Sequence, residues 1–441
     1  MSVATPTATQ EATKAGNYFV SNYPPYSFWT TDQVPELHKR LDQSPKPGTP
    51  LGLYIHLPFC RKRCHFCYFR VYTDKNAAEI AGYLEHVLLE ARRYAAYAAI
   101  KGRPLKFLYV GGGTPSYLSS EQLRALMTGL GEIFPMHELE EVTFECEPGT
   151  LTPKKLQAIR ELGVTRLSLG VEHVDDAILE ANGRAHRSAE IFRAYEAARA
   201  LDFPQINVDL IAGMLNDTDE GWMRAVVKTI ELAPDCVTIY QMEVPHNTTL
   251  FKQMTEVGST VAPVADWETK RRWVSEAFAC FRAAGYTVTS AYTVVRDPAR
   301  TKFVYRDALW TGADLLGLGV ASFSHLQGVH FQNQHHLDLY ETALDKGGLP
   351  VFRAYATQPE ELVIRELILQ LKTGSADPAW FSKKFGVNIA ENFAAQWESM
   401  RERGFLAPGS DLFQLTEPGL LRVDRLLHDF FLPHHRNARY T

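Results

Sequence analysis

Disulfide chemistry has little to work with here. Six cysteines occur in 441 residues, and three of them, Cys60, Cys64 and Cys67, crowd into one short stretch, which leaves an odd thiol in any local pairing. A surplus of one charge is also lacking. Lys and Arg number 46 against 51 Asp and Glu, a net charge of −5, so no basic balance points to nucleic acid or an anionic membrane surface. No apolar run approaches the roughly 20 residues of a membrane span. The segment Met1 to Ala15 is polar and rich in Thr and Ala, without the apolar core of a secretory signal. A cytoplasmic, reducing location is expected. There is no solenoid-type repeat. What is present is ordinary globular composition, 45% hydrophobic and 22% charged, with length for a large core and a second domain.

The chain is organised around Tyr54-Ile-His-Leu-Pro-Phe-Cys60-Arg-Lys-Arg-Cys64-His-Phe-Cys67. Leu53 to Leu57 reads as a short buried strand. Three cysteines spaced C-x3-C-x2-C follow it directly. Thiolates are soft ligands that suit iron–sulfur clusters. A cubane has four irons, so three protein ligands leave one iron open to a small molecule. Arg61, Lys62 and Arg63 are expected to lower the thiol pKa values and offset cluster charge. The alternative, a structural zinc site, wants four ligands. His65 is the only extra candidate, and its side chain would have to fold back between two ligands.

Residues 1–15 read as a disordered tail. Gly16 to Trp29 is an aromatic, proline-interrupted arm that must lie against something apolar. A short helix is expected over 32–44 and a linker up to Pro50. From residue 51 the chain alternates strands (51–57, 105–110, 141–145, 165–170, 206–211, 236–241, 286–291) with helical stretches of 3.6-residue period. The clearest helix runs from Asn76 to Ala99. Ser119-Ser-Glu-Gln122 is a capping-box pattern, Thr152-Pro153 opens another helix, and Gly163 closes it. Such alternation means parallel strands with helices outside, an α/β barrel, open or closed, with chemistry at the C-terminal strand ends. Residues 312–325 are Gly-rich and apolar and read as a loop or strand near a ligand. Past about residue 350 helices are expected over 358–373, 378–385, 389–404 and 417–428, with a strand at 412–416. Three units result: tail and arm (1–50), barrel with accessory strands (51–350) and a helical C-terminal domain (351–441). The last ten residues read as a solvated terminus.

At the strand ends, Gly111, Gly112 and Gly113 let backbone approach a ligand closely. Glu145 ends a strand where an acid is costly unless it binds something. Cys146, Cys236 and Cys280 are isolated and read as small buried hydrophobes.

The cysteine spacing after a strand resembles the radical S-adenosylmethionine (radical SAM) superfamily. Tyr-Ile-His-Leu-Pro-Phe-Cys resembles more specifically the oxygen-independent coproporphyrinogen III oxidase family, and the resemblance runs along most of the chain. It implies a partial (β/α)6 barrel with an N-terminal arm and a small helical, winged C-terminal domain. It implies a [4Fe–4S] cluster on Cys60, Cys64 and Cys67, a first SAM held by Tyr54, Gly112 and Glu145, and a second held by Phe66, Gly113, Thr114, Arg184 and Asp209. Phe323 falls where the family places an apolar residue against the first adenine. The implied chemistry is a 5′-deoxyadenosyl radical that abstracts hydrogen from a propionate side chain, with loss of CO2 leaving a vinyl group. A tetrapyrrole substrate, a reductant such as flavodoxin or ferredoxin, and a monomeric state go with it. Three positions depart from the family. Phe69 replaces a fourth cysteine, Glu172, a cofactor-binding candidate, replaces a glutamine at its strand end, and Glu243 occupies the loop after a later strand. They favour, as an alternative, a two-SAM C-methyltransferase or cyclopropane-forming enzyme. A heme chaperone is the third reading. Its relatives carry a His-Asn pair before a Tyr-Trp, which Tyr305-Arg-Asp-Ala-Leu-Trp310 lacks.

Overall fold

The computed structural model describes residues 11–409, 411–436 and 438. Twelve strands form one sheet: β1 (Leu51–Leu57), β2 (Leu105–Gly112), β3 (Glu141–Cys146), β4 (Arg166–Glu172), β5 (Gln205–Ala212), β6 (Cys236–Gln241), β7 (Thr287–Ser290), β8 (Thr293–Val295), β9 (Asp314–Leu318), β10 (Phe323–Leu326), β11 (Val329–Asn333) and β12 (Val351–Ala356). Strands β1 to β6 are neighbours in sequence order, all parallel, with helices in the crossovers. This is the partial (β/α)6 barrel. Strand β9 adds to the free edge of β1, also parallel.

Alternation explains the wall. Leu51, Leu53, Ile55 and Leu57 are buried in the outer core, while Tyr54 and His56 face the lumen, one residue out of phase. The lumen is polar. Ser168 donates to Asp209 (3.0 Å), Asn207 donates to Ser168 and Asp209 (2.9 Å each), and Thr238 donates to Asn207 (3.0 Å). A polar layer is tolerated inside because each member is partnered.

Helices outside the barrel start where local chemistry says they should. Asn76 caps Ala77–Ala95, its Oδ1 accepting from the Ala78 and Glu79 amides, and Ser119 caps Ser120–Ile133. Thr152 caps Pro153–Glu161, and Gly163 follows at φ +82°. Glu90, fully buried on the helix Ala77–Ala95, ties three elements together. It accepts from the Gly319 amide (2.8 Å), Asn333 Nδ2 (2.6 Å) and the Tyr340 hydroxyl (2.6 Å). Glu90→Ala strands the Gly319 amide and the Tyr340 hydroxyl, while Asn333 keeps Gly319 O and Ser322 Oγ, so a loss of about 2–3 kcal/mol is expected, read as a lower urea midpoint at unchanged m.

Several expectations need correction. The strand expected over 286–291 is present as β7, but it turns back into a further strand, β8, which pairs antiparallel with β6. Residues 312–325 contain two strands, and β10, β11 and β12 extend the sheet antiparallel. The helix expected over 389–404 is broken at Phe393 into Ile389–Asn392 and Ala394–Glu402. The last helix is broken at Leu421 and Arg422 into Glu417–Leu420 and Val423–Leu426. Residues 1–10 of the expected tail lie outside the described residues. Thr13, however, is buried, and Lys14 bridges Val261. At the other end, His435 is buried and accepts or donates at the Tyr23 hydroxyl (2.7 Å), so that stretch is not a solvated terminus; Asn437 and 439–441 lie outside the described residues.

The arm does find its apolar partner. Val20 and Tyr23 are buried in a second core made with the helix Pro359–Leu371 and the C-terminal helices. Tyr26 packs on Phe323 (4.5 Å between ring centroids), and Trp29 stacks on His330 (5.1 Å). The short pair Ser375–Ala376 and Phe413–Gln414 is the wing of the C-terminal unit. No helix among the described residues is long and apolar enough to cross a membrane.

Candidate functional site

The cysteines sit on a loop closed at its neck. Cys60 N–H donates to the Tyr72 carbonyl (3.0 Å), and Tyr72 N–H to that of Pro58 (2.8 Å). His65 is drawn away from the sulfurs: its amide donates to Asn182 O and its Nδ1 lies 3.0 Å from Ala181 O. Arg63 reaches the carbonyls of Cys67 (3.2 Å) and Asn247 (3.0 Å), and Arg61 pairs with Glu147 (3.4 Å). Both arginines of the triplet therefore have partners other than the sulfurs. The expected lowering of the thiol pKa is outweighed by burial, which pushes Cys60 up to about 11 and Cys67, against the pull of Arg63, up to about 12. The polar groups that do face the sulfurs are Thr114, whose hydroxyl donates to Cys60 Sγ (3.3 Å), and Arg184, whose Nη1 donates to Cys64 Sγ (3.2 Å).

This donor set fits an iron–sulfur cube better than a single ion. No cysteine is in a disulfide. Tetrahedral zinc would hold thiolates about 3.8 Å apart, given Zn–S near 2.3 Å. Among the described residues, the only His, Cys, Asp or Glu group with ligand atoms all within 4.8 Å of one another is Glu361, His434 and His435. The three cysteine sulfurs are spread wider, as they must be when each takes a different iron.

One cavity of about 1240 Å³ opens above these sulfurs, larger than the roughly 300–1,000 Å³ usual for small-molecule sites. Cys60, Cys64 and Cys67 line it together with Tyr54, Phe66, Gly112, Gly113, Thr114, Glu145, Glu172, Arg184 and Asp209. Each arrives by a legible route. Gly112 ends β2 at φ +117°, and its amide donates to Glu145 Oε2 (3.0 Å). A Cβ on Gly113 would lie 2.8 Å from Cys60 Sγ, so only glycine lets this turn pass the cysteine. Glu145 also accepts from the Tyr109 hydroxyl (2.6 Å). Glu172 stands at φ +65° beside an irregularity between β4 and β5 that turns its carboxyl inward, 3.6 Å from Arg184. Phe66 packs into a small apolar cluster with Ile178, Ile211 and Met242. Phe69 is 41% exposed and lies against Tyr68 within the cavity. The isolated Cys146 and Cys236 are buried and Cys280 partly so, as expected of small hydrophobes.

Sequence reasoning missed Tyr109 and His56. Tyr109 pairs in register with Tyr54 and stacks on it at 5.8 Å. His56 Nδ1 lies 3.1 Å from the Tyr54 hydroxyl, and burial holds its pKa down to about 4, so it is neutral. The signal was available for both, since two-residue periodicity puts them on the face of Tyr54 and Glu145.

The electrostatics are one-sided at the strand ends. Burial pushes Glu145 and Glu172 each up to about 7, Glu243 up to about 8, and raises Asp209. A pocket of acids held back from ionisation is relieved by a cationic ligand. Glu172 tests this. Its folded pKa lies above the unfolded value, so the cost is absent below about pH 4.3 and complete above about pH 7. Glu172→Gln is expected to match wild-type stability at pH 4.5 and exceed it by about 1–2 kcal/mol at pH 8, measured by urea unfolding of the cluster-free protein. A difference that does not change with pH would contradict it.

Comparison with known proteins agrees with this geometry. Residues 54–227 match the Radical SAM superfamily. The chain is 28% identical over 396 residues to the oxygen-independent coproporphyrinogen III oxidase of Synechocystis sp., covering 85% of this chain and 83% of that one. It is 27% identical over 377 residues to the heme chaperone HemW of Bacillus subtilis, covering 83% and 96%. The solved structure of coproporphyrinogen III oxidase (HemN) from Escherichia coli superposes with a TM-score of 0.81 at 24% identity, over 95% of this chain and 99% of that one, which shows the shared fold. Residues 54–227 thus carry the match to the Radical SAM superfamily, and along most of its length the chain is similar to oxygen-independent coproporphyrinogen III oxidases and heme chaperones. A radical SAM match implies a [4Fe–4S] cluster and SAM.

Proposed function

We propose that this protein is a radical SAM enzyme that oxidatively decarboxylates coproporphyrinogen III, or a related tetrapyrrole, without oxygen. The observation that carries the reading is the convergence of all twelve residues nominated by resemblance on one cavity large enough for more than SAM. Cys60, Cys64 and Cys67 would hold the cluster. Tyr54, Gly112 and Glu145 would hold the SAM on it, and Phe66, Gly113, Thr114, Glu172, Arg184 and Asp209 a second SAM. When bound and reduced, the cluster supplies the electron that turns SAM into a hydrogen-abstracting 5′-deoxyadenosyl radical. The chain's own part is placement. The backbone at Gly112 and Gly113 lets a ligand lie flat against the cysteine loop. Glu145, fixed by Tyr109, offers an acceptor to an ammonium. The arm residues Tyr18, Phe19 and Tyr26 wall the cavity and exclude water.

A second reading, methyl transfer or cyclopropane formation with two SAM molecules, is favoured by Phe69, Glu172 and Glu243, all of which line the cavity. Anaerobic incubation of reconstituted protein with SAM, reductant and coproporphyrinogen III separates the readings by product mass. Loss of two carboxyl groups is expected. S-adenosylhomocysteine with a methylated product would replace the first reading by the second. Stoichiometric heme uptake without turnover would make the protein a carrier.

A further inference from the structure

A buried cation without an anion is expensive, and one such cation faces the cavity. Arg365 lies on the helix Pro359–Leu371 and is 4% exposed, yet it lines the cavity. Among the described residues it forms no ion pair. Its hydrogen bond is from Nε to Asn22 Oδ1, 2.9 Å. The groups that could neutralise it are committed elsewhere. Glu366 pairs with Lys384 (2.5 Å), Asp314 pairs with Arg103 (2.9 Å), and Tyr26 shares a hydrogen bond with Ser21 (3.0 Å). Lys270 makes the contrast. It is equally buried and equally without a carboxylate, but its Nζ is satisfied by Thr13 and the Met242 carbonyl, and a lysine can shed its proton. An arginine cannot, even though burial draws Arg365 down to about 10. Leaving it uncompensated costs several kcal/mol.

The neighbouring groups are donors too. His325, on β10 and 7% exposed, has both ring nitrogens buried without a hydrogen-bond partner, and it lines the same cavity. Its charge is suppressed by burial and then by Arg365, so one nitrogen carries a proton to donate. Arg353, also in the lining, donates to Gln332 Oε1 and the Tyr26 carbonyl (2.8 Å each) and has no ion pair among the described residues. The lining thus holds Arg353 and Arg365 without ion pairs as well as the acids at the strand ends.

We propose that Arg365, assisted by His325, is the subsite for a carboxylate of the substrate, the terminus of one propionate arm. The terminal guanidinium nitrogens would take the carboxylate side-on, as a planar fork does. This rests on the tetrapyrrole reading above for the identity of the arm, and it adds an orientation: the bound propionate points away from Glu145, Glu172 and Asp209, which would repel it.

Cluster-loaded full-length protein and its Arg365→Gln and Arg365→Lys variants test this without turnover. Binding of coproporphyrin III and of its tetramethyl ester is followed by quenching of tryptophan fluorescence. Thermal unfolding is measured in sodium propionate against propionamide. Wild-type protein is expected to bind the acid about tenfold to 100-fold more tightly than the ester, and to be stabilised by propionate alone. R365Q is expected to lose the preference for acid and the response to propionate while binding ester as before. R365K should keep the propionate response and part of the preference. A merely structural arginine would leave R365Q weakened toward acid and ester alike, and that result overturns the proposal. So does equal stabilisation of wild type and R365Q by propionate. If no porphyrin binds while propionate still discriminates wild type from R365Q, the carboxylate subsite stands and the tetrapyrrole reading falls.

Discussion

Cys64→Ser protein, reconstituted with iron and sulfide under anaerobic conditions, should stay colourless and form no 5′-deoxyadenosine. The reasoning starts from the ligand count. Three thiols are all that the loop offers, His65 is turned away, and the one further described cysteine that lines the cavity, Cys146, directs its thiol to the Phe144 carbonyl. A serine hydroxyl is a hard, undissociated donor where a soft thiolate is needed. Removing groups that merely support metal ligands elsewhere costs 10–100-fold; loss of a ligand should exceed about 100-fold. The fold should survive, because Cys64 is only partly buried and the loop neck closes through the backbone of Pro58, Cys60 and Tyr72. Cys280→Ser, altering a thiol on the helix Trp267–Ala283 that does not line the cavity, should keep its cluster. Iron and sulfide content, visible absorption and thermal unfolding of the two variants decide the matter.

Gly112→Ala should keep the cluster and lose SAM. The residue holds φ +117°, and an added Cβ would stand 2.8 Å from His56 Nδ1 and 3.0 Å from the Leu57 amide nitrogen. Backbone strain of this kind costs about 1–3 kcal/mol, and the clash adds to it. Relief requires moving His56, which holds the Tyr54 hydroxyl, or the Gly112 amide, which holds Glu145. Both partners belong to the proposed first SAM subsite. A total of about 2–4 kcal/mol corresponds to a loss of about 30-fold to 1000-fold in SAM cleavage. Equilibrium dialysis of SAM against cluster-replete G112A would show it, and unchanged binding would contradict the assigned geometry.

The central barrel was legible because its strands are short apolar runs whose ends carry unusual residues. β1, β6 and the helix starts at Asn76, Ser119 and Thr152 follow from periodicity and capping alone. The added strands were not legible. Phe323–Leu326 and Val329–Asn333 carry Ser, two His, Gln and Asn, because one face lines the cavity, and so they lack the pattern of a buried strand. The hairpin β7–β8 was hidden for a related reason: its turn is Ala291 and Tyr292, neither a turn former, and it is set by β6 pairing with β8. The thiol pKa values went the other way from expectation because local sequence shows which cations are near, whereas the burial that outweighs them is set by the assembled fold. Arg365 illustrates the same limit. In sequence it is one more polar residue on a helix, and only the assembled structure reveals that its neighbours are already paired.

The most direct test of the whole account is the nucleoside released by the reconstituted, reduced protein in SAM. With the cluster in place, SAM cleavage should yield 5′-deoxyadenosine and methionine, and coproporphyrinogen III should disappear in step with it. A protein that carries its full complement of iron and sulfide, is reduced, and still releases no 5′-deoxyadenosine would contradict the account.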